Sequence, residues 1–289
     1  MDETIEWTWQ GQHLRLGVTR LGAGPTILLL PALSSISMRG EMRPLQDLLS
    51  TSYATISVDW PGFGDQPKPF VDWKPDAYRA FLAHVLAEIA PKPLATIAVG
   101  HAAVYALQQA EAAPETAGAL CLIAPTWRGP MPTMSGKPAT AFRWLAQLVD
   151  LKGVGPLVYA LNVNPVVVLM MARGHVYANP AFLTPPKFRE KLSVTRAPGA
   201  RHASVRFVAG LLDPAKNLAG FLAGARRVGD PILLLYSAQT PRKSRAEMEA
   251  LAALPNVERR ILACGKLAAQ EEFPESVEAE VRAFLKGRG

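Results

Sequence analysis

The chain is 289 residues long, 49% hydrophobic and 19% charged, with 25 prolines and a formal net charge of +7. A chain of this size and composition buries a sizeable core, which excludes a disordered or fibrous protein. The positive balance is moderate and its basic residues form only short clusters such as Arg226-Arg227 and Arg259-Arg260, so no nucleic-acid partner is expected.

The start, Met1-Asp2-Glu3-Thr4, lacks the basic and then apolar layout of a secretory signal, and a cytoplasmic location is the expectation. Segments 6–9 and 13–18 then read as an antiparallel hairpin around Gln10-Gly11-Gln12. Short runs rich in apolar and β-branched residues follow at Thr26–Leu30, 55–58, Ala95–Val99, Ala119–Ile123, 231–236 and 257–263. The first five are almost continuously apolar, as parallel strands covered on both faces should be. Helical patterns fall between and after them. Segment 76–89 carries Tyr78, Phe81, Leu82, Val85 and Leu86 on one stripe, 244–254 is similarly spaced, and 274–285 begins with proline and is followed by Gly287. The alternation predicts an α/β protein with a mostly parallel twisted sheet flanked by helices.

Between 125 and 230 the alternation breaks down into helical patterns with no clear strand. We read 127–228 as a helical cap inserted after the sixth strand, and 1–126 with 229–289 as the core. The most membrane-like stretch, 154–171, is interrupted by Asn162, Asn164 and Pro165, and its purely apolar part is far shorter than the roughly 20 residues of a membrane span. It is expected to form helices covering a pocket, which still leaves room for a peripheral membrane contact. The two cysteines, Cys121 and Cys264, are expected to be buried free thiols, and they cannot build a disulfide framework or a metal cluster. No metal or cofactor is expected.

Four landmarks in chain order resemble the α/β-hydrolase superfamily. Leu28-Leu29-Leu30-Pro31-Ala32 matches a strand running into the oxyanion loop, and Asp59-Trp60-Pro61-Gly62-Phe63-Gly64 matches the D-x-P-G-x-G turn. Ala98-Val99-Gly100-His101-Ala102-Ala103 falls at the nucleophile elbow, and Glu271-Glu272-Phe273-Pro274-Glu275 matches the start of the last helix. The resemblance implies the α/β-hydrolase fold. It also implies a nucleophile on the elbow, an acid after the penultimate strand and a histidine after the last one.

None of the three is present. With Gly100 as the first glycine of the elbow motif, Ala102 falls at the nucleophile; the other register puts His101 at the tip. Thr240 stands where the acid belongs, and Lys266 or Leu267 where the histidine belongs. No histidine lies beyond His202, so this last absence depends on no alignment detail. A methyl group cannot attack a carbonyl, and losing all three members removes the proton relay as a unit. Serine-type hydrolysis is therefore not expected.

What remains is a pocket at the strand ends. Backbone N–H groups of Leu33 and Ala103, with Ser34 beside them, could receive a carbonyl or carboxylate oxygen. Trp127 and Arg128 enter the cap, Arg128 as a candidate anchor for an anionic group. His101 reads as a packed structural residue or as a general base, with Lys266 as its cationic neighbour. Three functions stay open: a non-hydrolytic binder of a small molecule, apolar or with an anionic group; an enzyme using His101 and Lys266 in lyase, isomerase or atypical hydrolase chemistry; and a scaffolding subunit.

Overall fold

The computed structural model describes residues 1–287. Eight strands form one sheet: β1 (Asp2–Trp9), β2 (Gln12–Leu21), β3 (Thr26–Leu30), β4 (Ala54–Val58), β5 (Ala95–Val99), β6 (Ala119–Ile123), β7 (Ile232–Ser237) and β8 (Val257–Leu262). Their spatial order is β1-β2-β4-β3-β5-β6-β7-β8. β1 and β2 are antiparallel, as are β2 and β4, and every other pairing is parallel. The hairpin turns through Gln10 and Gly11, both at positive φ, the geometry that matches strand twist in a two-residue loop.

The continuous apolar runs occupy the sheet centre, where residues 27–30 and 232–235 are fully buried. The edge strand β8 instead carries Glu258, Arg259 and Arg260; such charges discourage edge-to-edge pairing. Helices Pro75–His84, Ala102–Ala112, Arg242–Ala252 and Pro274–Leu285 cover the faces, and the apolar stripe over 76–89 faces the core.

Because β3 to β8 run parallel, the turns after β3, β5, β6, β7 and β8 gather at one edge. The Asp59 turn braces that edge. The buried Asp59 carboxylate accepts from the Arg39 backbone N–H (2.6 Å) and from Arg39 Nη1 (2.5 Å). Gly64 wraps over it at φ +75°, where a Cβ would stand 2.6 Å from Asp59 Cγ. Trp60 Nε1 donates to the Pro31 carbonyl (2.9 Å) and so ties this turn to the loop after β3.

Between β6 and β7 the described elements are all helical, among them Arg143–Asp150, Val154–Asn162, Pro165–Met171, Pro185–Arg196, Ala200–Val208 and Leu218–Arg227. This insertion is seated on the strand ends: Ser204 Oγ donates to Ser35 Oγ (2.6 Å), and the Lys68 N–H to the Pro198 carbonyl (2.8 Å). Internally, Asp150 meets His202 Nδ1 at 2.6 Å and Arg206 Nη2 at 2.7 Å.

Two sequence expectations need correction. Cys264 lies past the end of β8 in a partly exposed loop instead of a buried strand. The stretch 154–171 does form helices, but Leu157, Leu161, Val166 and Met170 point outward and are more than 60% exposed. Hydrophobic periodicity identifies a helical face without saying whether that face meets the interior.

Candidate functional site

The sharp turn between β5 and helix Ala102–Ala112 passes through two residues, Gly100 and His101. Gly100 adopts φ +54°; His101 is already right-handed at φ −72° and ψ −18°. In this fold the strained residue at the strand-to-helix turn is the one presented at the tip. The structure therefore puts Gly100 there. Neither register weighed from the sequence holds, because Ala102 opens the helix and His101 sits one residue past the strained position. The flanking small residues are Ala98 and Ala102, both fully buried, which is the small-x-tip-x-small spacing read one step earlier.

Gly100 is itself buried, yet a Cβ built on it would meet a single atom within 4 Å, Ala32 Cβ at 3.4 Å. The space in front of the tip is thus nearly unfilled. Among the described residues, no acceptor is found for the backbone N–H of Leu33 or of His101. The Ala103 N–H is not free as expected, since it donates to the Gly100 carbonyl (3.3 Å) within the turn. With the tip at Gly100, the His101 N–H replaces it as the amide of the residue after the tip. Ser34 Oγ accepts only weakly from the Ile36 N–H (3.5 Å).

Thr240 and Lys266, expected at the acid and base positions, both have partners of their own. Thr240 is buried, its Oγ1 facing the Ser237 N–H (3.4 Å). Lys266 Nζ donates to the Arg173 and Gly174 carbonyls (3.1 and 3.0 Å), so it clamps the insertion instead of standing beside His101. The hydroxyl of Ser237, at the end of β7, donates to the Gly265 carbonyl. Arg128 is also committed: its Nε bonds Glu247 Oε1 at 2.8 Å and its guanidinium lies 5.1 Å from the Trp127 ring centroid. It is a packing and ion-pair residue here, not the anion anchor expected. Trp127 is 8% exposed and belongs to the core.

His101 is 1% exposed and lies under the insertion, edge-on to Phe207 with ring centroids 5.6 Å apart. Its Nε2 is 3.4 Å from both the Leu212 carbonyl and Asp213 Oδ1, and Nδ1 finds no partner among the described residues. Burial pulls the imidazole down to about 4. Burial likewise pushes Asp213 up to about 8, against the opposing hydrogen bond from the Gly129 N–H. At neutral pH both are uncharged, so their contact is not an ion pair. Asp213 carried no sequence signal, since nothing local marks a carboxyl that the chain brings under the elbow from the far end of the insertion.

A second buried cluster joins insertion to core. Lys191 Nζ, fully buried, donates to Glu41 Oε1 (2.7 Å) and Glu271 Oε2 (3.1 Å), and Tyr177 Oη donates to Glu271 Oε2 (2.7 Å). Burial raises Glu41 to about 7, although Lys191 opposes the shift; Glu271 is held below its usual range by Lys191 and the Tyr177 hydroxyl, against its own burial. The family-like acidic start of the last helix thus serves as an anchor for the insertion.

A sequence model of the alpha/beta hydrolase family matches residues 27–280. No curated protein matches the sequence. Similar solved structures include a thermophilic esterase from Thermogutta terrifontis (18% identity, TM-score 0.72, 99% of each chain covered). Others are the haloalkane dehalogenase DatA from Agrobacterium tumefaciens C58 (17%, 0.73, 100% of this chain and 97% of that one) and a hydrolase from Pseudomonas aeruginosa PA01 (16%, 0.70, 98% of each). At these identities the likeness is one of fold.

Proposed function

The chain belongs to the alpha/beta hydrolase family, and from that premise we propose that it binds a small, largely apolar molecule at the strand ends without hydrolysing it. The observation that carries this reading is Gly100: the strained tip has no side chain to attack with, and the space before it is open. The N–H groups of Leu33 and His101, unpaired among the described residues, suit a carboxylate or carbonyl oxygen on an otherwise apolar ligand. Thr240 and Lys266, at the positions of the acid and the base, are engaged elsewhere. An acid–base pair of His101 and Lys266 gains no support, because Lys266 Nζ is spent on the Arg173 and Gly174 carbonyls and a neutral imidazole near 4 is a weak base.

Octanoate is a suitable probe, being apolar with one anionic end. Isothermal titration should give saturable binding that Ala32→Leu, which fills the space before Gly100, weakens by about tenfold. Short-chain nitrophenyl esters should be hydrolysed at the rate of buffer alone. Turnover well above that rate, abolished by a substitution at the mouth, would sink the proposal; so would octanoate binding indifferent to Ala32→Leu.

A further inference from the structure

We infer that the outward face of helices Val154–Asn162 and Pro165–Val176 docks on an anionic lipid surface. The two helices run end to end with a bend of 44°. Val154, Leu157 and Leu161 repeat at the spacing of one helical face, as do Val166 and Met170, and their exposures run from 50% to 74%. Trp144, on the packed neighbouring helix, adds a ring at 57% exposure. Apolar side chains gathered this way on two adjoining helices mark an interaction surface. Among the described residues no single helix is long and apolar enough to cross a membrane, and the pair that reaches that length together is bent and buries Tyr159, Val168 and Ala172 against the protein, so the surface fits a helix pair lying in an interface.

Charge identifies the partner. Residues 127–228 carry fourteen Lys and Arg against three Asp and Glu, whereas the rest of the chain carries seventeen against twenty-one. The positive excess thus sits on the element that bears the apolar face. Lys137, Arg143, Lys152 and Arg173 are exposed, and none has a carboxylate partner among the described residues. Between 127 and 189 the one acid is Asp150, and it is consumed by His202 and Arg206. Lys152 and Arg173 stand at the ends of the two helices that carry the Leu, Val and Met face, and basic heads placed so match anionic headgroups over acyl chains. The same rim opposes a second copy of this chain, since face-to-face docking would bring like charges together.

The test is co-sedimentation with vesicles of phosphatidylcholine alone and of equal parts phosphatidylcholine and phosphatidylserine. The protein should partition onto the anionic vesicles at least about tenfold more strongly, and less so at high salt. Leu157→Asp with Leu161→Asp should abolish the partitioning, and Lys152→Glu with Arg173→Glu should weaken it by about tenfold. All four positions are exposed, so the melting temperature and octanoate binding serve as controls and should not change. Equal affinity for both vesicle types, or binding that survives the double aspartate variant, would overturn the inference. So would a dimer in solution that the same variant dissolves.

Discussion

A Cβ placed on Gly100 would stand 3.4 Å from the Cβ of Ala32 and touch nothing else within 4 Å. The two positions face each other across the gap between the β5 elbow and the loop after β3, where the fold elsewhere holds its reacting atoms. The gap admits a Cβ without a clash, but the backbone at φ +54° favours glycine.

Gly100→Ser should therefore fold with a stability loss of about 1–2 kcal/mol, which is backbone strain and not steric clash. Ester hydrolysis should stay at background, because the loop after β8 offers Lys266 and Leu267 and no imidazole. Urea denaturation and a nitrophenyl ester assay check both halves. Appreciable turnover by this variant would mean that a base reaches the tip from another part of the chain.

Stability should depend on pH through His101 and Asp213 with opposite signs. Burial lowers His101 from 6.5 to about 4. The unfolded chain takes up that proton first, so the contribution is intact above pH 6.5 and is lost as pH falls toward 4, by at most about 3 kcal/mol. Asp213 is raised from 3.8 to about 8. The unfolded chain releases that proton first, so stability declines as pH climbs between those values. His101→Gln should flatten the acid limb of a urea-stability profile, and Asp213→Asn the decline toward alkaline pH. An acid limb unchanged in the glutamine variant would show that another group sets it.

Lys191→Ala should cost about 3–5 kcal/mol, since it removes the buried cation shared by Glu41 and Glu271 and leaves Glu271 only the more distant Lys187 at 3.4 Å. Glu41→Gln should cost far less, about 1 kcal/mol, because burial already brings Glu41 to about 7 and a neutral side chain is tolerated there. Equilibrium unfolding of both variants at pH 7 checks the order. If the two losses were equal, Glu41 would be an obligatory anion in the cluster.

Arg128→Ala should lower stability by about 1–2 kcal/mol through its lost packing on Trp127 and the unpaired Glu247 carboxyl. Octanoate affinity should change by less than about twofold, since the guanidinium is turned to Glu247 and not to the tip. A tenfold loss of binding would restore Arg128 to the ligand site.

Some of this protein is written locally. The runs at Thr26–Leu30, Ala95–Val99 and Ala119–Ile123 became strands with those bounds, because a strand buried on both faces must be apolar throughout. The Asp59 to Gly64 turn was equally legible, since both glycines take positive φ where a Cβ would collide, Gly62 with Ala203 and Gly64 with the Asp59 carboxylate. The missing histidine beyond residue 202 needed only a count.

Which residue occupies the elbow tip was not legible. Gly100 fits both the first glycine of the motif and the strained position, and only the dihedral angles of the folded turn separate them. Arg128, Lys266 and Asp213 found their partners across 119, 93 and 84 residues of chain, respectively, at distances in sequence that local pattern cannot span. Whether an apolar helical face turns inward or outward, as at Leu157 and Leu161, is likewise set by what packs against it. The sequence determined the layers and the absence of any histidine beyond residue 202; tertiary packing decided what each polar group touches, because those contacts form only once distant segments meet.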